Sequence, residues 1–223
     1  MIMKQGFLAL GLAITLIMVA DRTLSAAEDP LKGDLRNLSV GMTVDDLPLE
    51  RYVDFACGDM GGEPGPAIEG WADYASCPLN SDGLFEVAFS YAEDNPWAAV
   101  SDKWEGTKVA GHPVQPSLLI TADGVVKGIR IVTNGKRLYL KKKAYLLPIR
   151  IMGRYGRDGW SCEEAEPGDG KTAIGGMFID RLCEKTFHDR HLVMKVDLYR
   201  TADQEGRDFT GVTRFEIYQR EAG

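Results

Sequence analysis

Four cysteines fall into two pairs of nearly equal spacing. Cys57 and Cys77 enclose 19 residues, and Cys162 and Cys183 enclose 20. This constrains the fold more than any other feature, because each pair can close a short local loop and staple it. Four cysteines allow three connectivities. Local closure and the recurring spacing favour Cys57–Cys77 and Cys162–Cys183. In the chain-entropy model each closure of this size stabilises by about 3 kcal/mol, a large share of a small module's net stability. Disulfides persist in oxidising compartments, and the N-terminus reads accordingly. Lys4 precedes an apolar run from Gly6 to Ala20, and Ser25-Ala26-Ala27 supplies small side chains for cleavage before Glu28. The run has 15 residues, short of the roughly 20 that span a bilayer. Residues 1–27 are therefore expected to be a signal peptide, with no transmembrane segment after cleavage. The mature chain is expected in the periplasm or secreted.

The cysteine segments lie inside a faint internal repeat. Leu47-Pro48 recurs as Leu147-Pro148, Arg51-Tyr52 as Arg154-Tyr155, and Glu63-Pro64-Gly65 as Glu166-Pro167-Gly168. Ala67-Ile68-x-Gly70 recurs as Ala173-Ile174-x-Gly176, always in the same order. Ordered self-similarity is the signature of duplication. The predicted organisation is a lead-in over 28–36, a first module over 37–134 and a second over 135–223. Each is expected to hold a short helix and a disulfide-stapled loop followed by antiparallel strands, giving an α+β class.

Local patterns place the elements. Gly41-Met42-Thr43 opens a short helix, with Thr43 as its cap and Asp46 favouring the N-terminal dipole. The Gly- and Pro-rich Cys57–Cys77 segment reads as a loop, packed down by Trp71 and Tyr74. Phe85, Val87, Phe89 and Tyr91 alternate with smaller or polar residues, as in a strand. Ser117 to Thr121 and Val125 to Val132 flank Asp123-Gly124, a hairpin signal. Glu93 to Pro116 reads as a long connection bearing Trp97 and Trp104. Leu140, Ala144, Leu147, Ile151 and Tyr155 recur at helical spacing and predict a buried stripe. Pro148 places the helix start near Ala144 or kinks it there. Alternation at Leu192, Met194, Val196 and Leu198, and then at Phe209, Thr213, Phe215 and Ile217, predicts two closing strands.

Motifs for chemistry are sparse. Ala165 to Thr172 matches a permissive phosphate-loop pattern, but no buried strand precedes it and both flanks are claimed by cysteines. Cys183, His188 and His191 have zinc-like spacing, yet Cys183 is expected in a disulfide. Asn80-Ser81-Asp82-Gly83 lacks the spaced carboxylates of a calcium loop. There is no C-x-x-C, G-x-S-x-G, S-x-x-K or H-E-x-x-H. We therefore assign no catalytic residue, metal site or cofactor. Cleavage would leave 24 basic and 32 acidic residues, a net charge of −8. That balance is poorly suited to nucleic acid.

Against this acidic background Lys136 to Arg157 holds eight basic residues and no acid. On a helix, Lys143, Arg150, Arg154 and Arg157 would share one face. Lys141, Lys142, Lys143, Arg150, Arg154 and Arg157, with Trp97 and Trp104, are the candidate partner-binding residues. The stripe suits an envelope protein or an anionic surface. Val40-Gly41-Met42-Thr43-x-x-Asp46-Leu47 resembles the helix start of small envelope proteins of the SmpA/OmlA type, a superfamily that includes the secreted beta-lactamase inhibitor proteins. The latter are similar also in element order, with tandem α+β modules that each carry a disulfide. The resemblance implies protein or peptide recognition on a sheet face without catalysis. The sequence thus reads as an exported, non-catalytic binding protein. A small-molecule or metal-binding envelope protein and an unrecognised hydrolase are the alternatives.

Overall fold

The computed structural model describes residues 33–93, 106–136, 138–168 and 170–220. The expected signal peptide, Trp97 and Trp104 lie outside the described residues. Among the described residues nine strands form one antiparallel sheet. They are β1 (Tyr52–Cys57), β2 (Phe85–Tyr91), β3 (Lys108–Val109), β4 (His112–Ile120), β5 (Val126–Thr133), β6 (Ser161–Glu164), β7 (Ile179–Phe187), β8 (Arg190–Tyr199) and β9 (Thr210–Gln219). The order is β1-β2-β4-β5-β9-β8-β7-β6, with β3 hairpinned onto β4. It runs from edge to centre in each half of the chain. The two last-made strands meet in the middle, where Ile131 faces Phe215 and Arg130 faces Glu216. The expected boundary near residue 134 falls between β5 and the first helix, while the sheet and one apolar core run through both halves.

The alternation read from the sequence sets which face is apolar. Val87, Leu118, Ile129, Ile131, Leu192, Met194, Phe215 and Ile217 are buried on the face that meets the helical segment. That segment contains α1 (Leu138–Lys141), a 3-10 turn (Ala144–Leu146) and α2 (Leu147–Tyr155). Leu140, Ala144, Leu147, Ile151 and Tyr155 form its buried stripe as predicted. Pro148 sits in the first turn of α2, where a missing N–H costs nothing. Gly156, at φ 83°, ends the helix. At the other end of the sheet Trp71 packs edge-on against Phe55 and Phe89, its Nε1 donating to the Pro48 carbonyl at 2.9 Å.

The disulfides pair as the spacing predicts, Cys57 with Cys77 and Cys162 with Cys183. Their setting differs from a pair of stapled loops. Cys57 ends β1, and Cys162 stands directly opposite Cys183 on β6 and β7. The sequence reading missed β1, β6 and β7, of which β6 and β7 are rich in charge. Two further expectations are corrected. The helix at Gly41 is a single 3-10 turn, Val44–Asp46, and Thr43 Oγ1 donates to the Asp46 side chain at 2.7 Å instead of capping a backbone N–H. The long connection after Glu93 is shorter than read, because β3 and β4 begin at Lys108 and His112. Pro116 is tolerated in β4 because its ladder with β2 starts only at Ser117, and Pro113 because it faces β5 just beyond the Val114–Thr133 pair, where its carbonyl accepts from the Asn134 N–H.

Candidate functional site

A hairpin, a helical segment and the central strands enclose a cleft on the helical side of the sheet. The β3–β4 turn, Ala110-Gly111, has positive φ at both residues, 50° and 79°, as a two-residue hairpin turn demands. It places His112 on the cleft wall. Thr133 and Asn134, where β5 ends, supply the floor, while Tyr139, Lys143 and Arg150 come from the helical segment. The cleft has a volume of about 320 Å³. Among the described residues no carboxylate lines it. Burial pushes the His112 imidazole below its ordinary range, and the positive charges of Arg150 and Lys143 push it further. Thr213 on β9 holds the wall in place. Its Oγ1 donates to the Ala144 carbonyl and its N–H donates to Thr133 Oγ1, both at 2.9 Å.

A second cavity of about 160 Å³ adjoins this one and shares Arg150. Leu35, Val109, Ile131, Leu147, Ile151 and Phe215 give it apolar walls. Asp34 at its rim is already engaged, accepting from Arg190 Nε at 2.9 and 3.1 Å and from the Val40 N–H at 2.9 Å.

The candidate cations separate into distinct roles. Arg150 and Arg154 are exposed on α2, and Lys143 is exposed just ahead of it. Among the described residues none of the three has a carboxylate partner within 4.0 Å. Arg154 instead donates to the Gly33 carbonyl at 3.4 Å. Lys142 and Arg157 are exposed outside the cleft. Arg157 lies beyond the end of α2, so it does not extend the helical face as the 3.6-residue spacing predicted. Lys141 is engaged within the chain, with Asp208 at 3.1 Å and the Phe209 carbonyl at 3.0 Å.

The other motifs are occupied by structure. Lys171, from the phosphate-loop match, pairs with Asp180 at 2.5 Å, and Lys195 also pairs with Asp180. Hydrogen bonds from Lys171 and then Lys195 pull the Asp180 carboxyl below its usual range, whereas burial pushes Asp197 up. Cys183 is oxidised, so the zinc-like spacing loses its thiolate. His188 lies in the β7–β8 turn against Phe187, and His191 is 3.8 Å from Glu184.

A buried ionic network escaped the sequence reading. Arg130, on the sheet face away from the helices, pairs with Glu86 and with Glu216 at 2.5 Å each. Ser117 Oγ donates to Glu86 at 2.7 Å, as does the Met60 N–H at 3.1 Å. Arg214 Nε adds a contact to Glu216 at 3.7 Å. Burial lowers the Arg130 pKa, but Glu86 and Glu216 raise it by more, so the guanidinium stays charged. The cover is the segment after Cys57. Gly61, at φ +86°, lies so close to the sheet that a Cβ there would meet Val132 at 2.4 Å. In strand periodicity these charges read as solvent-facing, and nothing local reports the segment folded over them.

Comparison of the chain with protein-family models, curated proteins and solved structures finds no match. Among the described residues no helix is long and apolar enough to cross a membrane.

Proposed function

We propose that this chain is an exported, non-catalytic binding protein of the cell envelope that recognises an acidic protein partner through its helical face. The observation that carries this reading is the group of exposed cations, Lys143, Arg150 and Arg154, without carboxylate partners among the described residues of a chain with net charge −7. Exposed charges left unpaired steer and orient an oppositely charged partner more than they stabilise the fold. The two disulfides support an oxidising location, periplasmic or secreted. The mirrored strand order and the repeated sequence echoes support a duplicated pair of modules over 37–134 and 135–223. Element order is also the ground for proposing kinship with the SmpA/OmlA-type and beta-lactamase-inhibitor modules.

Affinity capture from periplasmic extract, with Arg150, Arg154 and Arg157 all changed to Glu in a parallel arm, tests the proposal. Loss of a specific acidic protein from the variant arm is expected. Equal recovery of every captured protein in both arms removes the helical face from consideration.

A further inference from the structure

We propose that the cleft and the adjoining apolar cavity together bind a small carboxylate carried on a short apolar chain. This goes beyond recognition of an acidic partner, though the site borrows Lys143 and Arg150 from the same face. Three observations support it. The cleft converges His112, Lys143 and Arg150, with no acid lining it among the described residues. Positive groups that face one another without a counter-ion repel, and an anion placed between them removes that repulsion. Next, the smaller cavity beyond Arg150 presents Leu35, Val109, Ile131, Leu147, Ile151 and Phe215, with Asp34, Arg154 and Tyr155 also in its lining. Buried apolar walls favour a hydrocarbon group over water. Finally, the hairpin tip lies over both spaces: Gly111 borders the cleft and Ala110 the cavity, with Arg150 common to the two. An amphiphile would lay its carboxylate toward His112 and its chain toward Ile131 and Phe215. Combined, the two spaces have the size of ordinary small-ligand pockets, which start at about 300 Å³.

The site has a pH signature. Lys143, Arg150 and the Tyr139 phenol are the titratable side chains that face His112 across the cleft, while Thr133 and Asn134 are neutral. Burial first, and then Arg150 and Lys143, lower the imidazole pKa and favour its neutral form. A bound carboxylate favours its protonated form, so its pKa rises in the complex. Linkage then requires tighter binding as pH falls through that range.

Hexanoate, acetate and hexanol are the probes, titrated into the full mature chain at pH 5.5 and 7.5 while the His112 ring resonances are followed by NMR. Hexanoate should bind at least about tenfold more tightly than acetate, since four methylenes enter the apolar space. It should also outbind hexanol and bind more tightly at pH 5.5. Arg150→Gln should weaken hexanoate, and His112→Asn should retain binding but abolish its pH dependence. Lys142→Glu with Arg157→Glu, which line neither space, should leave hexanoate unaffected while weakening an acidic protein partner, so the two readings fail separately. Absence of hexanoate binding, equal affinity for acetate and hexanoate, or full affinity in Arg150→Gln overturns the site.

Discussion

Replacing Arg130 by Met tests whether the ionic network lies beneath the segment that follows Cys57. Arg130 is 1 % exposed, Glu86 3 % and Glu216 6 %, and the guanidinium bonds to both carboxylates at 2.5 Å. Without it the two acids remain buried with Arg214 at 3.7 Å as the nearest replacement. Breaking a buried pair by removing one partner costs about 3–5 kcal/mol. For a chain of this size each kcal/mol shifts the midpoint by roughly 2–4 °C, so Tm should fall by about 6–20 °C. Urea unfolding followed by tryptophan fluorescence measures the loss, because Trp71 lies within the core. The triple variant Arg130→Met, Glu86→Leu, Glu216→Leu should recover most of it, since a packed apolar replacement of a buried ionic set is about neutral or stabilising. The loss should also shrink in acid, where protonation removes the uncompensated negative charge. A single-variant loss below about 1 kcal/mol would refute the reasoning, since that is the range of an exposed pair.

Thr213→Val removes one of two donors to the Ala144 carbonyl, which keeps the Leu147 N–H, and should cost about 0.5–1.5 kcal/mol by thermal or urea unfolding. Asp180 has a folded pKa below its unfolded value, so its pairing contributes stability above about pH 4 and loses it as pH falls through the depressed pKa. Asp180→Asn should therefore flatten the acid limb of a stability–pH curve, and an unchanged limb would rule this pairing out as its source. Burial, aided by Tyr91 at Tyr52 and by Glu216 at Tyr218, raises both phenols to about 12. Their stabilisation is complete below pH 10 and declines between pH 10 and 12. Burial raises Tyr155 as well, so ultraviolet titration should show three of the eight tyrosines ionising last, whereas uniform ionisation near pH 10 would contradict their burial.

How much of this was legible in the sequence depended on the range of the interaction that decides each feature. The disulfide pairing was readable because both closures are local and their spacing recurs. The stripe from Leu140 to Tyr155 was readable because helical periodicity is a local property, even with Pro148 inside it. Strands β6 and β7 were hidden because Glu163, Glu164, Arg181, Glu184 and Lys185 give them no clean apolar alternation. Glu86, Arg130 and Glu216 occupied polar positions of correctly predicted strands, so periodicity assigned them to solvent. Their burial depends on a segment that returns from 26 residues away, from Met60 to Glu86. The basic run was visible, but its division into engaged and available cations was not. Lys141 is claimed by Asp208, 67 residues distant, and Arg157 is removed from the helix by Gly156. His112 joined the cleft only through a hairpin whose two short arms carry little periodic signal.

Fluorescence anisotropy with a labelled hexaglutamate peptide tests recognition by the helical face most directly. The wild-type chain should bind it in a salt-sensitive manner, and Arg150→Glu with Arg154→Glu should abolish binding. Arg207→Glu with Arg220→Glu alters net charge equally at exposed positions outside the helical segment and should bind as the wild type does. Equal loss in both double variants, or binding that survives reversal of Arg150 and Arg154, would contradict the proposed recognition surface.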